Sequence, residues 1–261
     1  MPKLPAHEIF ERHFQNCREI LQFTPPVLEY SSTQREKNGK LELFQGTKTL
    51  LVHLPPDSDE MKVRQFAYMT GFQYARSQLS GQVHNGLEVA AALIADYLHA
   101  KETGNHLFED KIRGKLEEAY GEYREAFSLN AEDNFLGVMV AHTAINKNGM
   151  TPEELKQLLF VLARKKFGNE FEIDDIVSKY EQMVLRGDAE MFTSSGGHEF
   201  FPDGPSVFLE TGKRRVEPQK LREMLASKPL LQAMAFVNHA GQELKRDPDY
   251  LKKIAERENG G

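Results

Sequence analysis

Apolar residues return at steps of three and four over most of the chain, the period of a helix with one buried face. Between Ala6 and Phe23 they are Ile9, Phe10, Phe14, Cys17, Ile20 and Leu21. Thr24-Pro25-Pro26 closes this predicted helix, because a residue before proline is pushed out of the α region. Residues 31–40 are polar and read as an exposed loop. The pattern then changes: Leu41–Gln45 and Lys48–Leu54 flank Gly46-Thr47 and predict a β-hairpin over 41–54 that stops at Pro55-Pro56. Asp57, Ser58 or Asp59 caps the next helix, which reaches Leu79. Val63, Phe66, Tyr68, Met69, Phe72, Tyr74 and Ala75 make it apolar on more than one side, so it belongs at the centre. Leu87–His99 is a second strongly apolar helix, with Glu88, Asp96 and His99 as a thin polar stripe. Residues 106–128 give the cleanest amphipathic helix, with Phe108, Ile112, Leu116, Ala119, Tyr120, Tyr123 and Phe127 on one face. Gly114 and Gly121 each cost that helix about 1 kcal/mol relative to alanine.

A helix over 132–146 ends at Asn148-Gly149. The next begins at Thr151-Pro152-Glu153-Glu154, with Thr as N-cap, Pro in the first helical position and Glu in the capping box, and runs to Phe167. Residues 173–185 form a further helix, and 193–205 are rich in turn formers. Val207–Glu210 and Lys213–Glu217 around Thr211-Gly212 predict a second hairpin, and helices follow over 218–226, 230–244 and 248–258. The expected fold is therefore mainly α, a compact multi-helix domain of about 8–10 helices with two short peripheral β-hairpins, 41–54 and 207–217. Short connections favour a single domain over 1–261, the alternative being 1–130 and 131–261. Strand, turn, strand, proline and helix occur in the same order at 41–79 and 207–226, but two occurrences fall short of a repeat array.

Composition narrows the function classes. One cysteine, Cys17, excludes an intramolecular disulfide and any Cys-based zinc site, and favours a reducing compartment. The first residues mix charge with apolar groups and lack the apolar run of a signal peptide, so a soluble, cytoplasmic protein is expected. The net charge of −6 divides evenly between the halves, which argues against wholesale nucleic-acid coating. Locally the balance swings: residues 170–203 hold nine acids and two bases, and 211–222 hold five bases and one acid.

The common nucleotide, zinc-protease, calcium-loop and serine-hydrolase motifs are absent. His84, Glu88, Asp96 and His99, with Glu109 and Glu118 on the next helix, have some of the spacing of a carboxylate-bridged metal site. Glu88 and His99 lie nearly three turns apart, too far to share an ion, whereas Asp96 and His99, one turn apart, could; the favoured reading is a solvated polar stripe, with no metal and no cofactor. In the 194–204 loop, Ser194, Ser195, His198 and Asp203 supply hydroxyl, imidazole and carboxylate beside glycines that admit a close ligand. Lys213, Arg214 and Arg215, followed by Lys220 and Arg222, form a cationic tip suited to phosphates or an acidic partner. Two helices precede it, the order of a winged helix-turn-helix, but Glu172, Asp174, Asp175 and Glu181 would repel phosphate from the second of them. The acidic 170–203 segment is an alternative partner for this tip. His53, His142 and His239 sit among apolar residues and read as core or boundary groups, and Cys17 reads as an inert buried thiol. The leading expectation is a non-catalytic intracellular binding or regulatory protein that acts through protein partners. The alternatives are a nucleic-acid-binding regulator using Lys213, Arg214 and Arg215, and an enzyme whose pocket the 194–204 loop closes.

Overall fold

The first helix, α1 (Ala6–Leu21), buries Ile9, Phe10, Phe14, Cys17 and Leu21, the face that the apolar spacing marks out. Gln22 closes it with a left-handed backbone (φ 53°), and its N–H returns to the Arg18 carbonyl. The computed structural model describes residues 5–31, 40–44, 49–54, 59–79, 85–126, 133–167, 173–174, 177–178, 181, 198–199, 208–209, 218–227 and 229–259. The architecture is mainly α, as the periodicity indicates.

The expected first hairpin is present as β2 (Lys40–Phe44) and β3 (Thr49–His53), antiparallel with Phe44 opposite Thr49. It is one part of a larger sheet. An unforeseen strand, β1 (Val27–Ser31), pairs parallel to β3, so the strand order is β1-β3-β2. Leu50 and Val52 of β3 are buried while their neighbours are half-exposed, the alternation of a sheet with one face on the core. Tyr30 sits against Phe10 and His7, which seats β1 on α1.

Helix α2 (Glu60–Leu79) is capped by Asp59, whose carboxylate accepts from the Met61 N–H at 2.9 Å. It is buried on several sides, as its sequence implies, and packs on α1 and α3 (Asn85–Glu102). Helix α3 crosses α5 (Asp133–His142) at two glycines. A Cβ built on Gly137 would stand 2.7 Å from the Gly86 carbonyl carbon, and one on Gly86 would stand 2.6 Å from Leu230 Cδ1. Helix α4 (His106–Ala126) lies against both.

Helix α5 does not simply run on to residue 146. It widens into a π-helical turn, Thr143–Lys147, closed by the Asn148 N–H reaching back to the Thr143 carbonyl. The Thr143 hydroxyl takes up the Met139 carbonyl. Helix α6 (Pro152–Arg164) starts with the full capping box: Glu154 N–H donates to Thr151 Oγ1, and Thr151 N–H donates to Glu154 Oε2 at 2.7 Å. It ends three residues before the expected Phe167. The buried Arg76 guanidinium from α2 binds the Leu162 and Lys165 carbonyls, and Lys165 is already extended. A side chain from another helix thus terminates α6, something no local pattern announces.

Beyond α6, Ile173 and Val177 are buried in the same core, and the described residues between 173 and 181 are helical. Phe208–Leu209 is a short strand where the second hairpin is expected, and its partner among the described residues lies upstream. It pairs antiparallel with His198–Glu199, designated β5 and β4. The expected second arm, 213–217, lies outside the described residues. Helices α7 (Pro218–Ser227), α8 (Pro229–Leu244) and α9 (Tyr250–Asn259) follow near the expected bounds. Helix α8 packs on α5, and α9 packs on α6.

Candidate functional site

Three helices each turn one stripe of side chains into a common cleft of about 700 Å³. Helix α1 contributes Asn16, Glu19 and Ile20; α6 contributes Glu153, Lys156, Gln157 and Phe160; α9 contributes Lys252, Ala255 and Glu256. These are positions i, i+3 and i+4 on each helix, with i+7 added on α6, the spacing that faces a neighbouring helix. Tyr68 of α2, Glu102 at the end of α3, and Gln22 complete the lining.

The lining has an apolar part and an acidic part. Phe160 and Tyr68 are almost fully buried, and Ile20 and Ala255 are half-buried, so the apolar groups lie deep. Burial pushes the Tyr68 phenol well above its ordinary range, and it remains neutral at any physiological pH. Glu19, Glu102, Glu153 and Glu256 are exposed. Lys156 Nζ pairs with Glu102 at 2.8 Å, which neutralises one carboxylate. Three glutamates and Lys252 remain. The Gln157 amide oxygen is buried without a hydrogen-bond partner among the described residues, leaving an acceptor in the cleft wall with no donor.

Beside the cleft lies a buried polar cluster that joins α1, α2 and α3. Arg64 Nε donates to Asp96 Oδ1 at 2.6 Å, both side chains nearly inaccessible, and Gln65 donates to the other Asp96 oxygen. His13 meets His99 edge-on at 5.5 Å and Tyr68 at 6.2 Å. Burial holds the His13 pKa down at about 4, with the Arg64 charge adding to the effect, so the ring is neutral. His99 is lowered for the same reasons. Asp96 is therefore the acid of a buried ion pair, and His99 faces a histidine.

The rest of the polar stripe divides in the same way. Glu88 is 8% exposed, its Oε1 has no hydrogen-bond partner among the described residues, and burial raises its pKa to about 7. Glu109 receives Lys101 at 2.7 Å and the Tyr97 hydroxyl at 3.3 Å, and the lysine bond holds it below the usual carboxylate range. Glu118 is exposed, and His84 lies outside the described residues. Among the described residues no group of three or more His, Cys, Asp or Glu side chains is placed to hold a metal ion. His142 lies stacked on Tyr120 at 4.2 Å and donates to Glu117 at 3.0 Å, a boundary histidine tied across to α4. Cys17 is buried, its thiol faces the Tyr68 carbonyl at 3.8 Å, and desolvation raises its pKa far above neutrality.

Of the residues singled out in the loop and the basic tip, Ser194, Ser195, Asp203, Lys213, Arg214 and Arg215 lie outside the described residues. His198 is in β4, paired with Leu209. Lys220 and Arg222 are on α7, where Arg222 forms an ion pair with Asp174. That pair joins the basic segment to the acidic one within the chain. Nothing local in the sequence marks the cleft: its acids fall on four separate helices and acquire meaning only when those helices converge. Among the described residues no helix is long and apolar enough to cross a membrane. Comparisons with protein-family models, curated proteins and solved structures find no match to this chain.

Proposed function

We propose that this chain is a non-catalytic binding protein that acts through a protein partner, and that the cleft between α1, α6 and α9 receives a helical segment of that partner. The observation that carries this reading is the convergence of three i, i+3, i+4 stripes on an open cleft with a buried aromatic floor. Such stripes are what helices present to another helix, and a groove of this kind is a recurring mode of peptide recognition. The volume agrees. A helix about 10 Å across fills some 80 Å² of cross-section, so 700 Å³ accommodates roughly one to two turns. A cytoplasmic setting suits a chain with a single, buried thiol.

The test uses the full chain as bait, in parent form and as Ala255→Trp, which places an indole in the cleft from the half-buried face of α9. Cross-linking followed by mass spectrometry should place the partner on α1, α6 and α9 for the parent, and the partner should be lost from the variant. A partner held equally by both forms, with its cross-links elsewhere, refutes the reading.

A further inference from the structure

The chemistry of the cleft bears on the identity of its guest. We infer that the segment it receives is a basic amphipathic helix, with an apolar side chain on Phe160 and Tyr68 and lysine or arginine side chains on the acidic rim. This inference rests on the proposed docking of a partner helix, and adds the sign of its charge.

Three observations point the same way. First, with Lys156 held by Glu102, the carboxylates of the lining that lack an ion pair are Glu19, which accepts from the neutral Gln15 amide, Glu153 and Glu256, against Lys252. Glu153 has no ion pair or hydrogen bond to another described residue, so its charge remains available. Second, the polar atom buried without a partner in the wall, Gln157 Oε1, is an acceptor. Lysine and arginine carry donors and no acceptor, so they match the exposed carboxylates directly, and the enclosed Gln157 oxygen once its amide turns toward the cleft. Third, the apolar groups lie below the charged ones: Phe160 and Tyr68 are buried and the glutamates exposed. A guest must therefore carry its apolar face inward and its charge at the sides, as an amphipathic helix does. The long stems of lysine and arginine can cross the cleft wall while their heads reach the rim.

The experiment uses three fluorescein-labelled peptides built from leucine pairs alternating with pairs of lysine, glutamate or glutamine. Anisotropy measures their binding to the full-length chain. The lysine peptide should bind, less tightly as salt rises, and the glutamate peptide should not. Glu153→Gln/Glu256→Gln should weaken lysine-peptide binding by roughly tenfold, the sum of two exposed ion pairs. Asp110→Asn/Glu118→Gln, on the exposed face of α4 away from the cleft, should leave it unchanged. Circular dichroism on each variant verifies the fold. If the glutamine or glutamate peptide binds at least as tightly, and Ala255→Trp abolishes that binding, the basic guest is refuted while the docking site stands. If the α4 pair matters as much as the cleft pair, the attraction belongs to the net charge of the chain and the inference falls. If the lysine peptide binds Ala255→Trp as well as the parent, the docking site itself is refuted, and if no peptide binds, both readings are.

Discussion

Glycine to alanine should have opposite signs at two places in this fold. At Gly137 the two helices nearly touch: an added Cβ would lie 2.7 Å from the Gly86 carbonyl carbon, 3.0 Å from its Cα, and nearer still to its oxygen. The obstacles are backbone atoms of α3, so no rotamer change relieves them. Bringing that oxygen, the closest atom, to an ordinary contact needs the helices to separate by about 1.5 Å in an interior with little free volume. Overpacking of this kind costs about 1–3 kcal/mol, against a helix-propensity gain of about 1 kcal/mol from removing glycine. Because the clash is with backbone, the upper part of that range applies, and Gly137→Ala should lose about 1–2 kcal/mol net. Gly114 and Gly121 on α4 have nothing within 4 Å of an added Cβ and are exposed, so only the propensity gain remains. Each alanine there should add about 0.5–1 kcal/mol. Urea unfolding followed by far-UV circular dichroism reads all three as shifts in midpoint at constant slope. A Gly137→Ala protein as stable as the parent would refute the close crossing, and destabilisation by Gly114→Ala would refute the open surface of α4.

Two further outcomes test the buried charges. Glu88 has a folded-state pKa raised from 4.5 to about 7 by burial, so folding favours its protonated form. Its contribution is complete below pH 4.5 and is lost as pH rises through 7. Glu88→Gln removes that loss and should gain on the parent between pH 5 and 8, by an amount of order 3 kcal/mol at most. A pH-independent difference between the two proteins, measured by chemical denaturation, would contradict this. Asp96→Asn should cost about 3–5 kcal/mol, because it leaves the Arg64 guanidinium buried beside a neutral amide. Arg64→Met/Asp96→Leu should recover most of it in the same assay, and a double variant no better than the single would show that the pair is not the source.

Much of this fold could be read from the sequence because its helices carry local instructions. Thr151 and Glu154 close a capping box within four residues, Asp59 caps α2, and the apolar faces of α1 and α6 repeat at the helical period. The features that escaped depend on residues distant in sequence. Strand β1 has no turn tying it to β3, and its parallel pairing spans the whole hairpin between them. The end of α6 depends on Arg76, more than eighty residues away, and Leu209 pairs with His198 upstream, a pairing that no local turn pattern announces. The π-turn after His142 departs from a pattern whose hydrophobic period barely changes across it.

The candidate site was harder to see for a related reason. Concentrated chemistry stands out in a linear sequence, as the glycine–serine loop and Lys213-Arg214-Arg215 do. The cleft is assembled from the ordinary polar faces of α1, α6 and α9, which in a linear reading are solvated surface. Only packing distinguishes the Glu153, Gln157 and Phe160 stripe from any other helix face, by bringing Glu19, Glu256 and Tyr68 into the same lining. The same packing makes the polar stripe of α3 less suited to chemistry than it looks: Asp96 is satisfied by Arg64 and Gln65, and His99 packs edge-on against the buried His13 ring. A carboxylate already held by a buried guanidinium is committed to the fold, whereas an exposed Glu153 with no partner among the described residues keeps its charge for a guest. In this chain, that difference in commitment separates structural polar groups from the ones offered for binding.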